Sequence, residues 1–554
     1  MSSDQVESSL EESKDMAPPK LEKHVSCANT VHEGTMEEGS MRDNSDFLHR
    51  RLGQRQIQLI AIGGSIGTAL FVLIGSALSY AGPLGMLLAY ITYAIILGLV
   101  NSSMAEMVVY MPVSGSFIRM AAKWVDPALG VMMGYNFLLY QWSVIPFEIT
   151  AINLVLKYWS DDIPVAAVCG VCMAAYFCLN VFAVKYYGEA EFWLAIGKVI
   201  LILIVFSFTF VTMCGGNPQH DAYGFRHWKK PFNQYIATGS LGHFEGFLAA
   251  LWLAVFTYAG PEYVGMIAGE AKQPRKTLKQ AFKTIYWRFG IFFIGSALCV
   301  GTILSADDPA LGDQHYGAGG SPYVIAMKNM GVEGLPHLVN ALLLTSIFSA
   351  GNTYVYAATR TLYSLSVQGQ APRFLQKCTK SGVPVWALVI TMISPALSFF
   401  NVSASTSVVI TWFINITTAS QILMYMGVCI TYLCFYRAIK AQGISRRSLP
   451  YRGWGQPYLT WVALAFYFSV LCTYSYTMYL PGNWDIGSFF SYYTMGFVGI
   501  LVFVGWKVYH QTSFVKPAEA DLVWDKMVID AYEEDAEPVT SCWRDARRFM
   551  QWRK

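Results

Sequence analysis

Charged side chains are scarce in this chain. Only 14% of its 554 residues are Asp, Glu, Lys or Arg, whereas a soluble globular domain has about 25%. Basic residues outnumber acidic ones by so little that the net charge is +3. The composition therefore argues against a soluble domain and gives no reason to expect nucleic acid as a partner.

Patterns typical of metal sites and enzymes are also lacking. The chain has 11 cysteines, but the metal-like spacing Cys169-x-x-Cys172 lacks a second pair or nearby histidines. We interpret both residues as small core side chains, and we expect no metal and no cofactor. Neither a His/Asp/Glu cluster nor a nucleophile–base motif points to an enzyme. Residues 1–50 are polar, so no cleavable signal peptide is expected.

Long apolar stretches recur along most of the chain. Each is near the 20 residues that cross a hydrocarbon core of about 30 Å as a helix, and the alternating strands of a membrane barrel do not occur. The sequence therefore predicts an all-α polytopic membrane protein. Its twelve predicted transmembrane helices cover residues 57–80, 84–105, 130–156, 163–183, 192–213, 246–267, 285–305, 336–359, 384–402, 407–435, 459–480 and 486–509.

Two polar tails flank the predicted twelve-helix core, residues 51–511. Residues 1–50 are rich in Ser, Glu, Asp and Lys, which predicts disorder. Residues 512–554 form the second tail, in which Asp521 to Tyr532 could form a short helix. Lysine and arginine concentrate in the connections after spans 6, 8 and 10, whereas the opposite loops hold few, apart from residues 226–230. The positive-inside rule therefore predicts that both tails face the cytoplasm.

The first span is interrupted by the run Gly-Gly-Ser-Ile-Gly-Thr at residues 63–68. Glycine weakens a helix interior by about 1 kcal/mol relative to alanine, and in lipid an irregular backbone persists only where it lines a cavity. Beside Ser65, the backbone N–H groups of Ile66, Gly67 and Thr68 then suit a substrate carboxylate at the start of a half-helix. The alternative is close helix packing through small residues.

The sixth span is interrupted in the same way, by the run Phe-Thr-Tyr-Ala-Gly-Pro-Glu. Pro261 cannot donate a hydrogen bond and clashes with the preceding turn. The carbonyls of Phe256, Thr257 and Ala259 can then receive a substrate amine, and the rings of Phe256 and Tyr258 can close the pocket. A proline kink without a ligand is the alternative. Two interrupted spans in corresponding halves indicate the binding site of a transporter.

The ionisable side chains that we single out within predicted spans are Glu148, Lys198 and Glu262. A charge at the centre of a membrane helix costs roughly 2.5–3.5 kcal/mol, so such residues are functional candidates. We predict that they couple transport to a proton, with Lys198 as the leading candidate. The alternatives are that Lys198 is a permanently charged strut, that Glu148 lines the pocket, and that Glu262 caps the half-helix backbone.

The positions of the two breaks also predict an inverted repeat. Each broken span opens a set of five spans, at about residues 57–213 and 246–435, and an odd number of spans inverts the second copy. The last two spans, at about 459–509, are appended to this five-plus-five arrangement.

Nine segments carry a resemblance to a known family. They are AIGGSIGTALFV (61–72), PVSGSF (112–117), VDPALG (125–130), YYGEAEFWLAIGKV (186–199), AGEAKQPRK (268–276), SAGNTYVYAATRTLYSL (349–365), GQAPRFL (369–375), WFINITT (412–418) and ITYLCFYRAIKAQG (430–443). Through them the chain resembles the fungal amino acid permeases of the amino acid–polyamine–organocation superfamily. Residues 260–262 and 451–457 most resemble the proline permease branch.

The resemblance implies proton-driven import of amino acids across the plasma membrane. It also implies that Lys198 takes the place of a sodium ion of sodium-coupled relatives and that Trp412 lies near the pocket. Lys14, Lys20 and Lys23 lie in the first tail, where ubiquitin ligases could reach them, and resembling permeases leave the cell surface in that way. The implied partners are thus an amino acid, the proton, membrane lipids and ubiquitin ligases.

The sequence also suggests a substrate class. Lys198 is the only buried cation that the sequence offers to pair with an acidic side chain. We therefore predict small neutral amino acids such as proline or alanine. The alternatives are a carrier of acidic or broad-range amino acids and an amino acid-sensing receptor.

Overall fold

The computed structural model describes residues 52–182, 184–312, 320–379, 382–402 and 406–535. These ranges contain helices and no β-strand, apart from an isolated bridge between Leu52 and Ala271, so the all-α prediction is confirmed. The α-helices, numbered here in chain order, are α1 Gln54–Ser65, α2 Ile74–Tyr110, α3 Ser116–Trp124, α4 Pro127–Leu156, α5 Val165–Phe182, α6 Val184–Met213, α7 Gly239–Thr257, α8 Pro261–Met266, α9 Pro274–Arg288, α10 Gly295–Ile303, α11 Pro309–Gly312, α12 Pro322–Asn329, α13 Leu335–Val367, α14 Val385–Thr391, α15 Thr406–Ala441, α16 Tyr458–Thr473, α17 Ile486–His510 and α18 Lys526–Asp535. Two π-helical turns, Ala69–Leu73 and Phe289–Ile294, precede α2 and α10, and a 3₁₀ helix, Ser394–Val402, follows α14.

Ten helical segments of the described ranges are long and apolar enough to cross a membrane, and Val165–Val181 is a shorter apolar helix. The chain is therefore a polytopic membrane protein. The longest segment, Ala69–Tyr110, bends at Gly82, where φ is 74° and Pro83 follows. A Cβ on Gly82 would lie 2.8 Å from Pro231 O, so the loop backbone passes too close for any other residue.

Helix α4 lies at the centre of the bundle and α17 lies at its edge. α4 packs against α13, α15, α17 and α3, whereas α17 contacts only α4 and α15 extensively among the described elements. Most of α4 is buried, whereas little of α17 is buried. Because α4 carries Glu148, this central position holds that carboxyl group inside the bundle.

We call the end of the bundle at which α1, α4 and α9 begin the basic end. Two buried carboxylates hold connections together there. Glu106 accepts from Arg446 Nε at 2.8 Å, from Arg446 Nη2 at 2.7 Å and from Gly453 N at 2.9 Å. Asp126 pairs with Lys507 at the end of α17. Each of these two buried carboxylates thus has a cationic partner.

The C-terminal strap, residues 512–535, docks on the basic end. Trp124 Nε1 donates to Asp521 O at 2.9 Å, and Tyr110 OH donates to Leu522 O at 3.1 Å. Residues 521–525, which carry these two carbonyls, are not helical. Helix α18 accordingly starts at Lys526, later than the predicted start at Asp521.

Candidate substrate and proton site

The chain is unwound between the end of α1 at Ser65 and the π-helical turn that begins at Ala69. Ile66 is extended, with φ −115° and ψ 103°. At Gly67 a Cβ would lie 2.6 Å from Glu148 Oε1 and 3.2 Å from Ala350 Cβ. A larger residue at this position would have to displace the carboxyl group of Glu148, so the break depends on glycine here.

A carboxyl group lies just after the first break, where the second half of the first span begins. Thr68 Oγ1 donates to Glu148 Oε2 at 2.5 Å, and Glu148 is buried. The N-terminus of a helix carries a partial positive charge that favours a negative group. From the sequence, pocket lining was one of the alternatives for Glu148, but its contact with Thr68 was not predicted.

Lys198 lies on the other side of the same break. Its Nζ donates to Gly63 O at 2.6 Å, and the side chain is fully buried on α6. Tyr354 OH, from α13, donates to the neighbouring carbonyl of Gly64 at 3.0 Å. The carbonyls freed at the end of α1 are thus held by two donors from different helices. The structure thus places Lys198 at the first break, while its role in coupling stays a prediction.

The second break lies between the end of α7 at Thr257 and the start of α8 at Pro261. Gly260 has φ 152° and ψ −50°, a conformation open to glycine and strained for other residues. The carbonyl of Tyr258 accepts from Gln421 Nε2 at 2.6 Å. Gln421 therefore holds one of the freed carbonyls of this break from α15.

The two aromatic residues of the second break point to different neighbours. Phe256 packs edge-on against Phe147 of α4, with ring centroids 5.0 Å apart. Tyr258 instead stacks on Phe293 at 4.2 Å, and its OH donates to Tyr90 O at 3.0 Å. Both rings were expected to close the pocket, but only Phe256 meets the helix that carries Glu148. Tyr258 anchors the break to α2 because its hydroxyl needs a buried partner.

Glu262 caps the half-helix that follows the second break. Its Oε2 accepts from Tyr425 OH at 2.7 Å and from Gly260 N at 3.2 Å. Its Oε1 has no hydrogen-bond partner among the described residues, and the residue is fully buried. The capping alternative therefore matches the geometry, while proton coupling by Glu262 stays a prediction. The two breaks are alike in that each holds a buried carboxyl group.

The predicted binding residues of the two breaks are buried, and Trp412 is the exception. Trp412 is 40% exposed, whereas Phe413 and Ile414, the next two residues of α15, are 7% and 8% exposed. Successive helical residues point about 100° apart, so Trp412 lies off the buried face of α15. The structure does not bring it to the other site residues. Lys14, Lys20 and Lys23 lie outside the described residues.

Several site residues escaped the sequence argument. Gln421 and Tyr425 are spaced i, i+4 on α15 and so face the second break together. Their polar side chains within an apolar span were the available signal. Tyr354 of α13 had no such signal, because its contact with Gly64 joins residues 290 positions apart.

Arg288 corrects one premise of the substrate prediction. This residue of α9 is 6% exposed, and its Nε and Nη1 make no hydrogen bond to a described residue. Its Nη2 donates at 3.4 Å to Ala281 O and to Thr284 Oγ1. Lys198 is therefore not the only buried cation. No local signal distinguishes Arg288 in the sequence, because it directly follows the basic start of its span.

Comparisons with known proteins agree with this arrangement. The sequence profile of the amino acid permease family matches residues 56–518. The chain is 43% identical to the general amino acid permease AGP2 of Saccharomyces cerevisiae, over 87% of this chain and 83% of that protein. It is 35% identical to a proline-specific permease of Emericella nidulans, over 91% and 93%. It is 34% identical to the dicarboxylic amino acid permease of Saccharomyces cerevisiae, over 89% and 83%.

A polytopic helical bundle with two broken spans and buried ionisable groups at the breaks defines a membrane transporter. The match over nearly the whole described region then specifies the kind of transporter. The chain belongs to the amino acid permease family, whose named members are transporters rather than enzymes.

Proposed function

We propose that this permease imports amino acids across the plasma membrane by proton symport. One observation carries the proposal: two titratable side chains of opposite charge hold the same helix break. Lys198 donates to Gly63 O before the break, and Glu148 accepts from Thr68 after it. A change in the protonation of either group changes the bonds that hold the break, which links the proton to the conformation.

In this proposal the two ends of an amino acid are bound at the two breaks. The substrate carboxylate approaches the backbone N–H groups of Ile66, Gly67 and Thr68. The amine approaches the carbonyls of Phe256, Thr257 and Ala259, since that of Tyr258 accepts from Gln421. Ser65 lies beside the first set, buried like the others.

The position of Glu148 makes it the first alternative to Lys198 as the carrier of the coupled proton. Its carboxyl group lies where the substrate carboxylate would bind, against the start of the half-helix. Two adjacent carboxylates repel each other, so one of them must carry a proton for both to remain. Substrate binding and proton binding at Glu148 thereby favour each other. Lys198 releases or holds Gly63 in the same cycle, and Glu262 is the second carboxyl candidate.

We further propose that small neutral amino acids, such as proline or alanine, are the preferred substrates. Phe147, which precedes Glu148 on α4, and Phe256 meet edge-on, and such apolar rings suit an uncharged side chain better than an acidic or basic one. Relatives named for proline and for dicarboxylic amino acids have similar identities to this chain. The choice between these classes therefore requires a direct competition measurement.

The proposed topology has twelve spans in a five-plus-five inverted repeat with both tails in the cytoplasm. Ten spans are apolar and long, Val165–Val181 supplies another, and the bend at Gly82 divides Ala69–Tyr110 into two. Each proposed repeat opens with one of the two breaks. The basic connections gather at the basic end, which the positive-inside rule assigns to the cytoplasm. Lys14, Lys20 and Lys23 would then be accessible to ubiquitin ligases.

Uptake by the purified protein in liposomes tests the proposal. An imposed pH gradient, acidic outside, should drive radiolabelled proline above its external concentration, and a protonophore should abolish the accumulation. Unlabelled proline and alanine should compete more strongly than glutamate or arginine. Downhill flux that ignores the gradient would contradict symport, binding without flux would favour a receptor, and competition by glutamate alone would reverse the substrate class.

A further inference from the structure

Helix α9 carries a stripe of exposed side chains that changes character along its length. Lys276 and Lys283 are exposed, Trp287 is 72% exposed, and Ile291 in the next turn is 50% exposed. The last three are spaced i, i+4, i+8, so they share one face of the helix. Cations, then tryptophan, then an aliphatic residue is the order found across a membrane interface.

The connection before α16 carries a second set of the same composition. Arg452 is exposed, Trp454 is 84% exposed, and Tyr458 is 78% exposed. The sequence contains no Asp or Glu from 271 to 306 or from 334 to 484. Neither set therefore has an acidic residue close to it along the chain.

Three hydrogen bonds bring the two sets together over α2. Tyr286 OH of α9 donates to Gly98 O at 3.0 Å, and Gln456 Nε2 donates to the next carbonyl, Leu99 O, at 3.4 Å. Lys279 Nζ donates to Pro450 O at 3.2 Å. α9 and the start of α16 thus meet on adjacent residues of α2. We call Lys276, Lys283, Trp287, Arg452, Trp454 and Tyr458 the basic–aromatic patch.

The cations of this patch differ from their neighbours in having no carboxylate. Arg275 pairs with Asp530 at 2.6 Å, and Arg446 pairs with Glu106. By contrast, Lys276, Lys283 and Arg452 form no ion pair with any residue in the described ranges. The patch therefore presents positive charge that the described part of the protein leaves uncompensated.

We propose that the basic–aromatic patch binds an anionic phospholipid of the cytoplasmic leaflet. Lys276, Lys283 and Arg452 contact the phosphate and acidic headgroup, while Trp287 and Tyr458 lie at the glycerol level. The acyl chains run along exposed Ile291 and along Ile95 of α2, which is 59% exposed. The assignment to the cytoplasmic leaflet rests on the orientation given under the proposed function.

A lipid bound at the patch would restrain α9, which follows the second break in the chain. α9 begins eight residues after α8 ends at Met266, so an anchored α9 restrains the half-helix that Glu262 caps. The proposal thereby predicts that anionic lipid affects transport as well as binding.

Native mass spectrometry of the full chain, with phosphatidylserine against phosphatidylcholine, tests the binding. The triple variant Lys276→Gln/Lys283→Gln/Arg452→Gln should bind phosphatidylserine about 100-fold more weakly, from roughly tenfold or less per lost charge. Its phosphatidylcholine binding should not change. The matched control Arg373→Gln/Lys377→Gln/Lys440→Gln removes equal charge from exposed sites outside the patch and should bind phosphatidylserine like the parent.

Unchanged phosphatidylserine binding in the patch variant would overturn the inference. An equal loss in the control variant would overturn it too, because the lipid would then respond to the total positive charge and not to the patch. The full chain is also compared with a chain that lacks residues 1–42. If only the shortened chain binds phosphatidylserine, the acidic tail occupies the basic–aromatic patch in the full chain and the inference is wrong. Uptake in liposomes of both lipids separates the two proposals. If uptake is not driven by protons in either lipid, the proposed function is contradicted. The lipid proposal is decided separately, by the phosphatidylserine binding that mass spectrometry measures.

Discussion

Gly67 lies where the first break meets two other helices. Replacement by valine would put side-chain atoms within reach of Glu148 Oε1, which is only 2.6 Å from a Cβ at this position. The proposed carboxylate site would be filled as well. We expect Gly67→Val to abolish amino acid uptake while the protein still reaches the cell surface, measured by radiolabelled uptake together with surface biotinylation.

Gly496→Val provides the matched control at the residue scale. A Cβ on Gly496, in α17, has no neighbour within 4 Å. This variant should retain uptake close to that of the parent. Normal uptake kinetics in Gly67→Val would refute the assignment of the first break to the substrate carboxylate.

Tyr425 tests the capping role of Glu262. Tyr425→Phe removes the hydroxyl that donates to Glu262 Oε2 at 2.7 Å and leaves that oxygen with the single donor Gly260 N. Loss of a hydrogen bond to a buried charged or polar group costs about 1–3 kcal/mol. We expect a lower apparent Tm of the detergent-solubilised protein.

Tyr176→Phe is the corresponding control, because the buried hydroxyl of Tyr176 has no hydrogen-bond partner among the described residues. Its Tm should stay level or rise slightly. Equal destabilisation of the two variants would mean that the Tyr425 contact contributes nothing specific.

At the element scale, the second break depends on the backbone of Gly260. Its φ of 152° lies in a region that an L-residue adopts only with strain, and such strain costs on the order of 1–3 kcal/mol. Gly260→Ala should lower Tm, whereas Gly496→Ala, in the interior of α17, should raise it through better helix propensity. A shift of the same sign in both would contradict the special role of the break. Thermal unfolding by tryptophan fluorescence measures both.

The C-terminal strap is a second element whose attachment can be tested. Burial opposes the charge of Asp530, but hydrogen bonds from Lys526 and Arg275 outweigh it and lower the pKa of Asp530 below its usual range. A carboxyl group whose pKa is lowered by docking stabilises the docked state at every pH above its ordinary pKa of about 3.9. This stabilisation is lost as the pH falls through the lowered pKa. The strap should therefore remain docked at neutral pH.

Asp530→Asn removes the charge that pairs with Arg275 at 2.6 Å. We expect limited proteolysis at pH 7 to cleave the strap faster in this variant than in the parent. Glu519→Gln breaks only the exposed pair with Lys516 and should leave the cleavage rate unchanged, because exposed pairs contribute little. Equal rates in Asp530→Asn and the parent would show that the pair between Asp530 and Arg275 does not hold the strap.

At the scale of the whole molecule, the sequence predicted what local patterns determine. Apolar length gave the helical membrane bundle, and the glycine and proline runs gave the two breaks at Ser65 and Thr257. Ionisable residues in apolar spans stood out for the same local reason, except for Arg288 at the end of a basic stretch.

What the sequence did not predict depends on contacts between distant segments. The meeting of Thr68 with Glu148 joins residues 80 positions apart, and that of Gln421 with Tyr258 joins residues 163 apart. The exposure of Trp412 likewise depends on the rotation of its helix, since a shift of one residue along a helix moves a side chain by about 100°. Such contacts follow from packing angles that hydrophobic periodicity does not fix.

We propose above all that Lys198, which donates to Gly63 O, couples the proton to the first break. The most direct test is the accumulation ratio of labelled substrate in liposomes as a function of external pH, for the parent and for Lys198→Met. Methionine keeps the approximate length and removes the titration. The account predicts that Lys198→Met loses gradient-driven accumulation while substrate exchange partly persists. Accumulation by Lys198→Met with the parent's pH dependence would contradict it and would make Lys198 a strut, with Glu148 or Glu262 as the proton carrier.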